Sequence, residues 1–204
     1  MERFMDKIQL DYNKLCLCTE ALRCALEHRD IHTQRHSQRV IALSEALGIA
    51  CQLSATEIGI LKISASLHDI GKIGIPDNIL LKPGTLEPDQ WLIMKSHAQK
   101  GEDIIKKLEI QNTPAIANIV RHHHEHYDGQ GYPDQLSGEQ IPILSRILSV
   151  ADSYDAITQS RSYHQAKTHH QAMQIIHGEK GTKLDPKIVD LFALLIETSQ
   201  YKAQ

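Results

Sequence analysis

The spacing of the apolar side chains constrains the fold most, because these side chains recur every three or four residues along most of the chain. Such spacing places them on one face of an α-helix, whereas a half-buried strand requires strict alternation, which no segment shows. Gly and Pro residues separate the periodic segments. With 204 residues the chain can build one sizeable core. We therefore predict an all-α fold, a single helical bundle of about eight helices.

Short local signals mark the helix ends. Ser54 and Glu57 have the spacing of a capping box, Pro88 and Pro114 suit first helical turns, and Asp185 can cap the last helix. The predicted helices span residues 6–30, 32–47 with Gly48 closing the helix, 54–69, 88–101 or beyond, 113–122, 142–157, 168–177 and 186–198.

The domain organisation follows from the same pattern. Residues 1–30 are predicted to form an N-terminal helix, and residues 31–204 the main domain. The apolar spacing of residues 1–30 alternates like a coiled-coil seam, which favours a coupling or dimerisation element. The alternative is that this helix packs on the core of its own bundle.

Charge and hydropathy exclude several classes of partner. The net charge of −3 gives no general attraction to a polyphosphate backbone, so no nucleic-acid partner is expected. No apolar run approaches the roughly 18 residues of a membrane span, and the charged N-terminus is unlike a secretory signal. We expect a cytoplasmic protein without a membrane partner.

Histidine is unusually frequent, with 13 residues, and several histidines fall where an apolar helix stripe ends. A lone core histidine usually just donates a hydrogen bond to a carbonyl. Five helices with such groups are harder to explain, because each buried unpaired polar group costs about 1–3 kcal/mol. A shared divalent metal removes that cost, and imidazole and carboxylate ligands suit Fe, Mn, Zn or Ni. The side chains on these stripes are His32, His36, His68, Asp69, His97, His123, His124, Asp152 and Asp155.

Five motifs now identify a family resemblance. HDIGKIGIPDNIL, KPGTL, HHHEHYDGQGYP, IPILSRILSVADSYDAI and RSY occur in this order within about residues 28–195. Together they resemble the HD-GYP family of cyclic di-GMP phosphodiesterases, which belongs to the HD phosphohydrolase superfamily. HDIGK alone is a weak signal, whereas its combination with HHE and DGxGYP is highly specific.

The resemblance implies a set of metal ligands that largely repeats the residues on the helix stripes. Asp69 corresponds to a carboxylate that bridges two metals. His32 stands where some family members have a Glu that helps to hold a third metal. We therefore favour two divalent ions, with Fe or Mn preferred to Zn or Ni. Whether a third metal binds stays open, and His32 is its candidate ligand. The implied ligands are His36, His68, Asp69, His97, His123, His124 and Asp152.

The resemblance also implies substrate contacts. Lys72 and Arg161 correspond to residues that bind phosphate oxygens, and Lys72 and Asp69 are the predicted catalytic residues. His164 replaces the Lys or Arg that is usual in the family, which leaves substrate preference open. Asp155 is expected to orient a ligand from behind, one helical turn after Asp152.

The loop that carries the GYP motif is expected to form a lip on the site. Gly129 and Gly131 permit backbone angles that other residues resist, and Tyr132 is expected to lie against a purine or close to a phosphate. Gly131 and Tyr132 are accordingly predicted to bind substrate. His122 precedes the matching histidine pair and is expected to point outward.

Taken as a whole, the resemblance implies an enzyme. A hydroxide that bridges the two metals would open cyclic di-GMP to linear pGpG, with further cleavage to GMP left open. The alternatives are the same chemistry on cyclic GMP-AMP or another nucleotide phosphoester, and a non-catalytic module that binds a nucleotide or a partner protein. A homodimer or a separate sensor or signalling protein is the expected protein partner.

Overall fold

The structure is a computed structural model that describes residues 20–22, 24–26, 28–29, 33–108, 112–159 and 165–203. From Thr33 onward, the described residues form nine α-helices and two 3-10 helices, and residues 20–22 and 24–26 are helical as well. Within these residues no strand is formed, and no helix combines the length and apolarity that crossing a bilayer would require. The all-α prediction is confirmed. The α-helices are α1 (Thr33–Ala50), α2 (Ala55–Leu67), α3 (Asp77–Leu80), α4 (Pro88–Lys95), α5 (His97–Lys106), α6 (Thr113–Arg121), α7 (Ile143–Thr158), α8 (His169–Gly178) and α9 (Pro186–Ile196), and the 3-10 helices are Ile70–Gly74 and Gly138–Gln140.

The helix starts follow the local signals in the sequence. The backbone N–H of Ser54 donates to the Glu57 carboxylate at 2.8 Å, and the Ser54 hydroxyl accepts from the Glu57 N–H at 3.3 Å. Pro88 is the first residue of α4, and the Asp185 side chain accepts from two backbone N–H groups of α9. Each of these starts depends on residues that are at most three positions apart, which is why they were readable from the sequence.

Most predicted helix ends agree with the structure within two residues, but the fourth predicted helix is divided, the end at Gly48 is displaced, and one helix was not expected. The predicted helix 88–101 breaks at Ser96, whose hydroxyl donates to the Ile93 carbonyl at 2.6 Å, so that α4 and α5 are separate helices. Gly48 does not close α1, which continues to Ala50. A Cβ at Gly48 would lie 3.1 Å from the Leu61 side chain, so this glycine fits a tight contact within the helix. The unexpected helix is α3, which follows the HD motif.

The apolar side chains form two clusters. The larger joins α1, α2, α7, α8 and α9, and the smaller lies where the first 3-10 helix meets α5 and α6. Leu26, which is 2% exposed, belongs to the smaller cluster, and Arg29 donates to the carbonyl of Ile75 at 3.0 Å. These residues before position 31 therefore pack on the main domain. The other part of the predicted N-terminal helix, including residues 1–19, lies outside the described residues, and its coupling role stays a prediction.

Two glycines allow close packing around α5, since Gly71 of the first 3-10 helix packs against α5 and Gly101 of α5 packs against α6. A Cβ added to Gly71 would be 1.9 Å from the carbonyl oxygen of His97 and 2.5 Å from the nitrogen of Gly101. A Cβ on Gly101 would be 2.9 Å from the Val120 side chain. The backbone contact at Gly71 brings Asp69, at the end of the HD motif, next to His97.

Candidate metal centre

The structure brings the seven predicted metal ligands together in two adjacent groups. They come from α1, the C-terminal end of α2, the start of α5, the residues just after α6, and α7. Oδ1 of Asp152 lies 3.2 Å from Nε2 of His36 and 3.7 Å from Nε2 of His68, which assigns this carboxylate to the first group. The first group is His36, His68, Asp69 and Asp152, and the second is His97, His123 and His124.

Asp69 connects the two groups. Its Oδ2 atom lies 3.5 Å from Nε2 of His68, and its Oδ1 atom lies 3.6 Å from Nε2 of His97. Asp69 is only 7% exposed, so its carboxylate is largely shielded from bulk water. One carboxylate that offers one oxygen to each group is the arrangement that a bridge between two cations requires.

The imidazoles are oriented by the backbone. Nδ1 of His68, His97 and His123 each lies within 2.8 Å of the carbonyl oxygen three residues earlier. A carbonyl can only accept, so each Nδ1 carries the proton and each Nε2 presents a lone pair to the cluster. Across the described residues, Nε2 of His97 and of His123 are buried and have no hydrogen-bond partner. Unpartnered nitrogen lone pairs beside carboxylates fit divalent cations that accept nitrogen and oxygen ligands.

The second group is held in the neutral form that metal binding requires. Burial, reinforced by the nearby imidazoles of His68 and His97, lowers the pKa of His123 to about 3. Burial also lowers the pKa of His124 and of His97. These imidazoles therefore carry free lone pairs at neutral pH without first losing a proton.

The first group has the opposite electrostatics. Burial alone would lower the pKa of His36, but hydrogen bonds to Asp152 and Asp155 outweigh it and raise that pKa to about 9. Burial likewise opposes ionisation of Asp69, yet the charge of Lys72 and, with a smaller effect, that of His36 hold its pKa well below the usual range. The carboxylates of this group are therefore ionised and ready to bind a cation.

A second layer of contacts supports His36. Nδ1 of His36 lies 2.7 Å from Oδ2 of Asp155, as expected for a residue that orients a ligand. Arg39 donates to both oxygens of Asp155, with Nε at 2.5 Å and Nη2 at 3.0 Å. Arg39 was not predicted from the sequence, although it lies three residues after His36 on the same helix face, a spacing that suggests a shared environment.

The ring of Tyr132 is engaged by protein side chains. Its centroid lies 5.0 Å from that of His124, with the planes tilted by 34°, and Nζ of Lys95 lies 5.2 Å from the same centroid. Burial, with the charges of Asp69 and Asp152, raises the pKa of the Tyr132 hydroxyl, which stays protonated beside the carboxylates. Both expected roles of Tyr132, against a purine or close to a phosphate, stay predictions, and the side chain lines the cleft where either contact could form.

The two glycines of the loop act differently from one another. Gly129 has φ +82°, the left-handed region that was expected. Gly131 does not have a positive φ. A Cβ at Gly131 would lie 2.1 Å from the nitrogen of His126 and 2.5 Å from Cα of Glu125. Gly131 is buried and does not line the cleft, so its place in the loop reflects close packing rather than an exposed contact for substrate.

This loop is anchored by polar side chains whose role was not predicted from the sequence. The Glu125 carboxylate accepts the backbone N–H of Asp134 at 2.7 Å and of Leu136 at 3.1 Å. The Asp134 carboxylate accepts from Arg121 at 2.6 and 2.7 Å and lies 2.7 Å from Nε2 of His122. His122 is thus buried, and the expectation that it points outward was wrong. These contacts join residues up to 13 positions apart, so no local sequence pattern predicts them.

A cleft with a volume of about 1470 Å³ opens onto both groups of ligands. That volume exceeds the roughly 300–1,000 Å³ of common small-molecule sites, so the cleft can accept an extended ligand. Lys72, whose Nζ lies 2.6 Å from Oδ2 of Asp69, is one of several cations along it. The cationic lining residues are Arg29, Arg35, Arg39, Lys72, Lys82 and Lys183, and the acidic ones are Asp69, Asp152, Asp155 and Glu179. His32, Arg161 and His164 lie outside the described residues, and their predicted roles remain predictions.

The fold and the site define the class of protein, an all-helical domain with a histidine and carboxylate centre for divalent metals. Comparison with known families agrees. A profile described as "HD domain" matches residues 20–188, and the chain belongs to the HD domain family. The family resemblance that the sequence motifs indicated is confirmed.

Curated relatives extend this finding. The chain is 40% identical over 179 residues to a cyclic di-GMP phosphodiesterase of Thermotoga maritima, covering 86% of this chain and 48% of the relative. It is 38% identical over 167 residues to 3'3'-cGAMP-specific phosphodiesterase 2 of Vibrio cholerae, covering 82% and 32%. The chain therefore spans about a third to a half of the length of these relatives.

A solved structure shares the fold. Bd1817, described as an HDG"Y"P protein from Bdellovibrio bacteriovorus, superposes with a TM-score of 0.65 at 19% identity, covering 81% of this chain and 52% of that one. At this level of identity the similarity concerns the arrangement of the helices.

Proposed function

We propose that this domain is a metal-dependent phosphodiesterase that hydrolyses cyclic di-GMP to linear pGpG, with GMP as the product of a second cut. The bridging position of Asp69 between two groups of ligands carries the proposal, because paired cations suit phosphodiester hydrolysis. The names of the relatives support the substrate class, since they are cyclic di-GMP or 3'3'-cGAMP phosphodiesterases. The size of the cleft is consistent with a ligand of two nucleotides.

Two divalent cations, Fe or Mn in preference to Zn or Ni, would share Asp69. Such a pair lowers the pKa of water towards neutrality and offsets negative charge on a phosphoryl group. The chain's own task is to hold the ligand atoms in place and to keep the imidazoles of the second group neutral, as their burial does. One cation would be held by His36, His68, Asp69 and Asp152, and the other by His97, His123, His124 and Asp69.

Other residues would bind and orient the phosphate. Lys72 lies at the cleft surface beside Asp69, where its ammonium group can donate to a non-bridging phosphate oxygen. The Tyr132 hydroxyl, which stays protonated, belongs to a side chain that lines the same cleft and can donate to the phosphate. Arg161 and His164 are proposed as contacts for the remaining phosphate.

A second candidate substrate is 3'3'-cGAMP, because a relative that is 38% identical is named for it. The two substrates share the backbone that is cut and differ in one base. The metal centre therefore cannot choose between them, and the choice falls to residues along the cleft.

The test is incubation of anaerobically purified protein, loaded with Mn²⁺ or Fe²⁺, with cyclic di-GMP and with 3'3'-cGAMP in separate and competing reactions. Chromatography should show a linear dinucleotide, and Asp69→Asn should abolish it. His177→Ala, which removes an exposed histidine, is the matched control and should retain full activity. Binding of either nucleotide without turnover would overturn the proposal in favour of a non-catalytic binding module.

A further inference from the structure

Helix α4 is unusual because none of its residues is buried, although its centre is apolar. Trp91, Leu92 and Ile93 are 46%, 66% and 41% exposed. Of these three side chains only Trp91 lines the cleft that contains the metal ligands. Of the three side chains, Trp91 is therefore the one that is both exposed and part of the wall of the proposed substrate site.

Trp91 also differs from the other large aromatic side chain that the described part of the cleft contains. The ring of Tyr132 contacts His124 and Lys95, whereas about half of Trp91 is open to solvent. An exposed indole costs free energy in water, and a flat apolar ligand would cover it favourably.

The position of Trp91 suits a base rather than a phosphate. Nδ1 of His97 donates to the carbonyl of Met94 at 2.7 Å, so the last turn of α4 is bonded directly to a metal ligand. Trp91 lies one turn before Met94, about 5 Å further along the helix axis, and both side chains line the cleft. A nucleotide whose phosphate lies at the metals can extend its base along the cleft, where α4 supplies these two side chains.

We propose that Trp91 stacks on one purine base of the bound cyclic dinucleotide, while the phosphate lies at the metal centre and Lys72. This inference rests on the proposed function. Stacking on an indole uses the π-face that every base has, so Trp91 contributes affinity without selecting guanine over adenine. The two candidate substrates should therefore depend on Trp91 equally.

Trp91 is the single tryptophan of the chain, so intrinsic fluorescence reports on it directly. The experiment titrates the Mn²⁺-loaded protein with cyclic di-GMP, GMP and ribose 5-phosphate, exciting at the red edge of the indole band where guanine does not absorb. GMP contains a base but no cyclic phosphodiester, so its binding is independent of turnover. Ribose 5-phosphate retains the sugar and the phosphate without the base.

Cyclic di-GMP and GMP should quench the emission with saturation, and ribose 5-phosphate should not. By calorimetry, Trp91→Leu should weaken GMP binding about 10-fold, and Trp91→Phe should restore most of the affinity. Leu92→Ala, an exposed neighbour outside the cleft, should change affinity by less than about twofold. Circular dichroism of each variant establishes that it is folded.

The outcomes separate this inference from the proposed function. Quenching by GMP without hydrolysis of either cyclic dinucleotide would overturn the proposed function and support the stacking role. Hydrolysis with unchanged emission, and with an unchanged KM in Trp91→Leu, would overturn the stacking role alone. Emission that changes with protein concentration and not with nucleotide would place Trp91 in a contact between copies of the chain and overturn the inference.

Discussion

Nδ1 of His36 lies 2.7 Å from Oδ2 of Asp155, although the two residues are 119 positions apart in the sequence. A carboxylate accepts hydrogen bonds, so this contact keeps the proton on Nδ1 and directs Nε2 towards His68, 3.3 Å away, and towards Asp152. Arg39 donates to both oxygens of the same carboxylate. The orientation of a proposed metal ligand thus depends on two residues that would not touch the metal.

Replacing Asp155 with Asn should weaken metal binding by about 10- to 100-fold, the usual effect of losing a contact that orients a histidine ligand. The amide retains the shape of the carboxylate but removes its charge from beside His36. Metal retained after dialysis against graded chelator, measured by mass spectrometry, checks this. Asp190→Asn removes an exposed carboxylate from α9 and should retain metal like the wild type. Equal retention by both variants would contradict the role of Asp155.

Arg39→Met should lower the free energy of unfolding by about 2–3 kcal/mol, because Asp155 is only 2% exposed and would lose its two donors from Arg39. Arg39→Lys keeps the charge without the two-pronged geometry and should lose less. Urea unfolding at constant m value measures both. A pair of variants that unfold at the wild-type midpoint would show that the ion pair contributes nothing.

Gly71→Ala should destabilise the protein by about 3 kcal/mol or more, because its Cβ would overlap the carbonyl oxygen of His97. Separating the 3-10 helix from α5 would also move Asp69 away from His97 and reduce metal content. Gly59→Ala is the matched control within α2, where nothing lies within 4 Å of the new Cβ; it should stabilise by up to about 1 kcal/mol. Thermal unfolding and metal analysis distinguish the two, and similar melting temperatures would refute the close packing.

Gly131→Ala should displace the loop, since its Cβ would overlap the backbone of Glu125 and His126. Tyr132, which follows and donates its N–H to the carbonyl of His124 at 3.2 Å, would move with it. We expect at least about a 10-fold loss of kcat/KM, equivalent to about 1.4 kcal/mol in the transition state. Gly178→Ala, with open space around its Cβ, should behave as wild type. Wild-type kinetics in Gly131→Ala would contradict the close contact.

Removing the metals should lower stability, because buried nitrogen atoms such as Nε2 of His97 and His123 would lose their proposed partner. At free metal concentrations a thousandfold above Kd, bound metal stabilises a protein by about 4 kcal/mol. The melting temperature of the Mn²⁺-loaded protein should therefore fall sharply with chelator. His123→Ala should shrink that difference, whereas His177→Ala should leave it unchanged; an equal effect of chelator on all three proteins would be the contrary result.

Much of the fold was predictable because its signals are local. The capping box of Ser54 and Glu57 and the proline at the start of α4 act within one helical turn. Such signals can be recognised from residues that are adjacent or nearly adjacent in the sequence. The break at Ser96 was not predictable, since its hydroxyl and backbone conformation compete with an otherwise continuous helical pattern. Short segments such as α3 lack the length over which periodicity can be recognised.

The sequence by itself determined the helical class, most helix ends and most of the inward-facing histidines and aspartates, because apolar periodicity and local capping depend on residues that are close together in the chain. Only the tertiary structure decided how those side chains divide into two groups around Asp69, that Arg39 holds Asp155, and that Gly71 serves a close contact. These relationships join residues that are far apart in the chain. They depend on how the helices pack against one another, and that packing is the outcome of the whole core rather than of any local pattern.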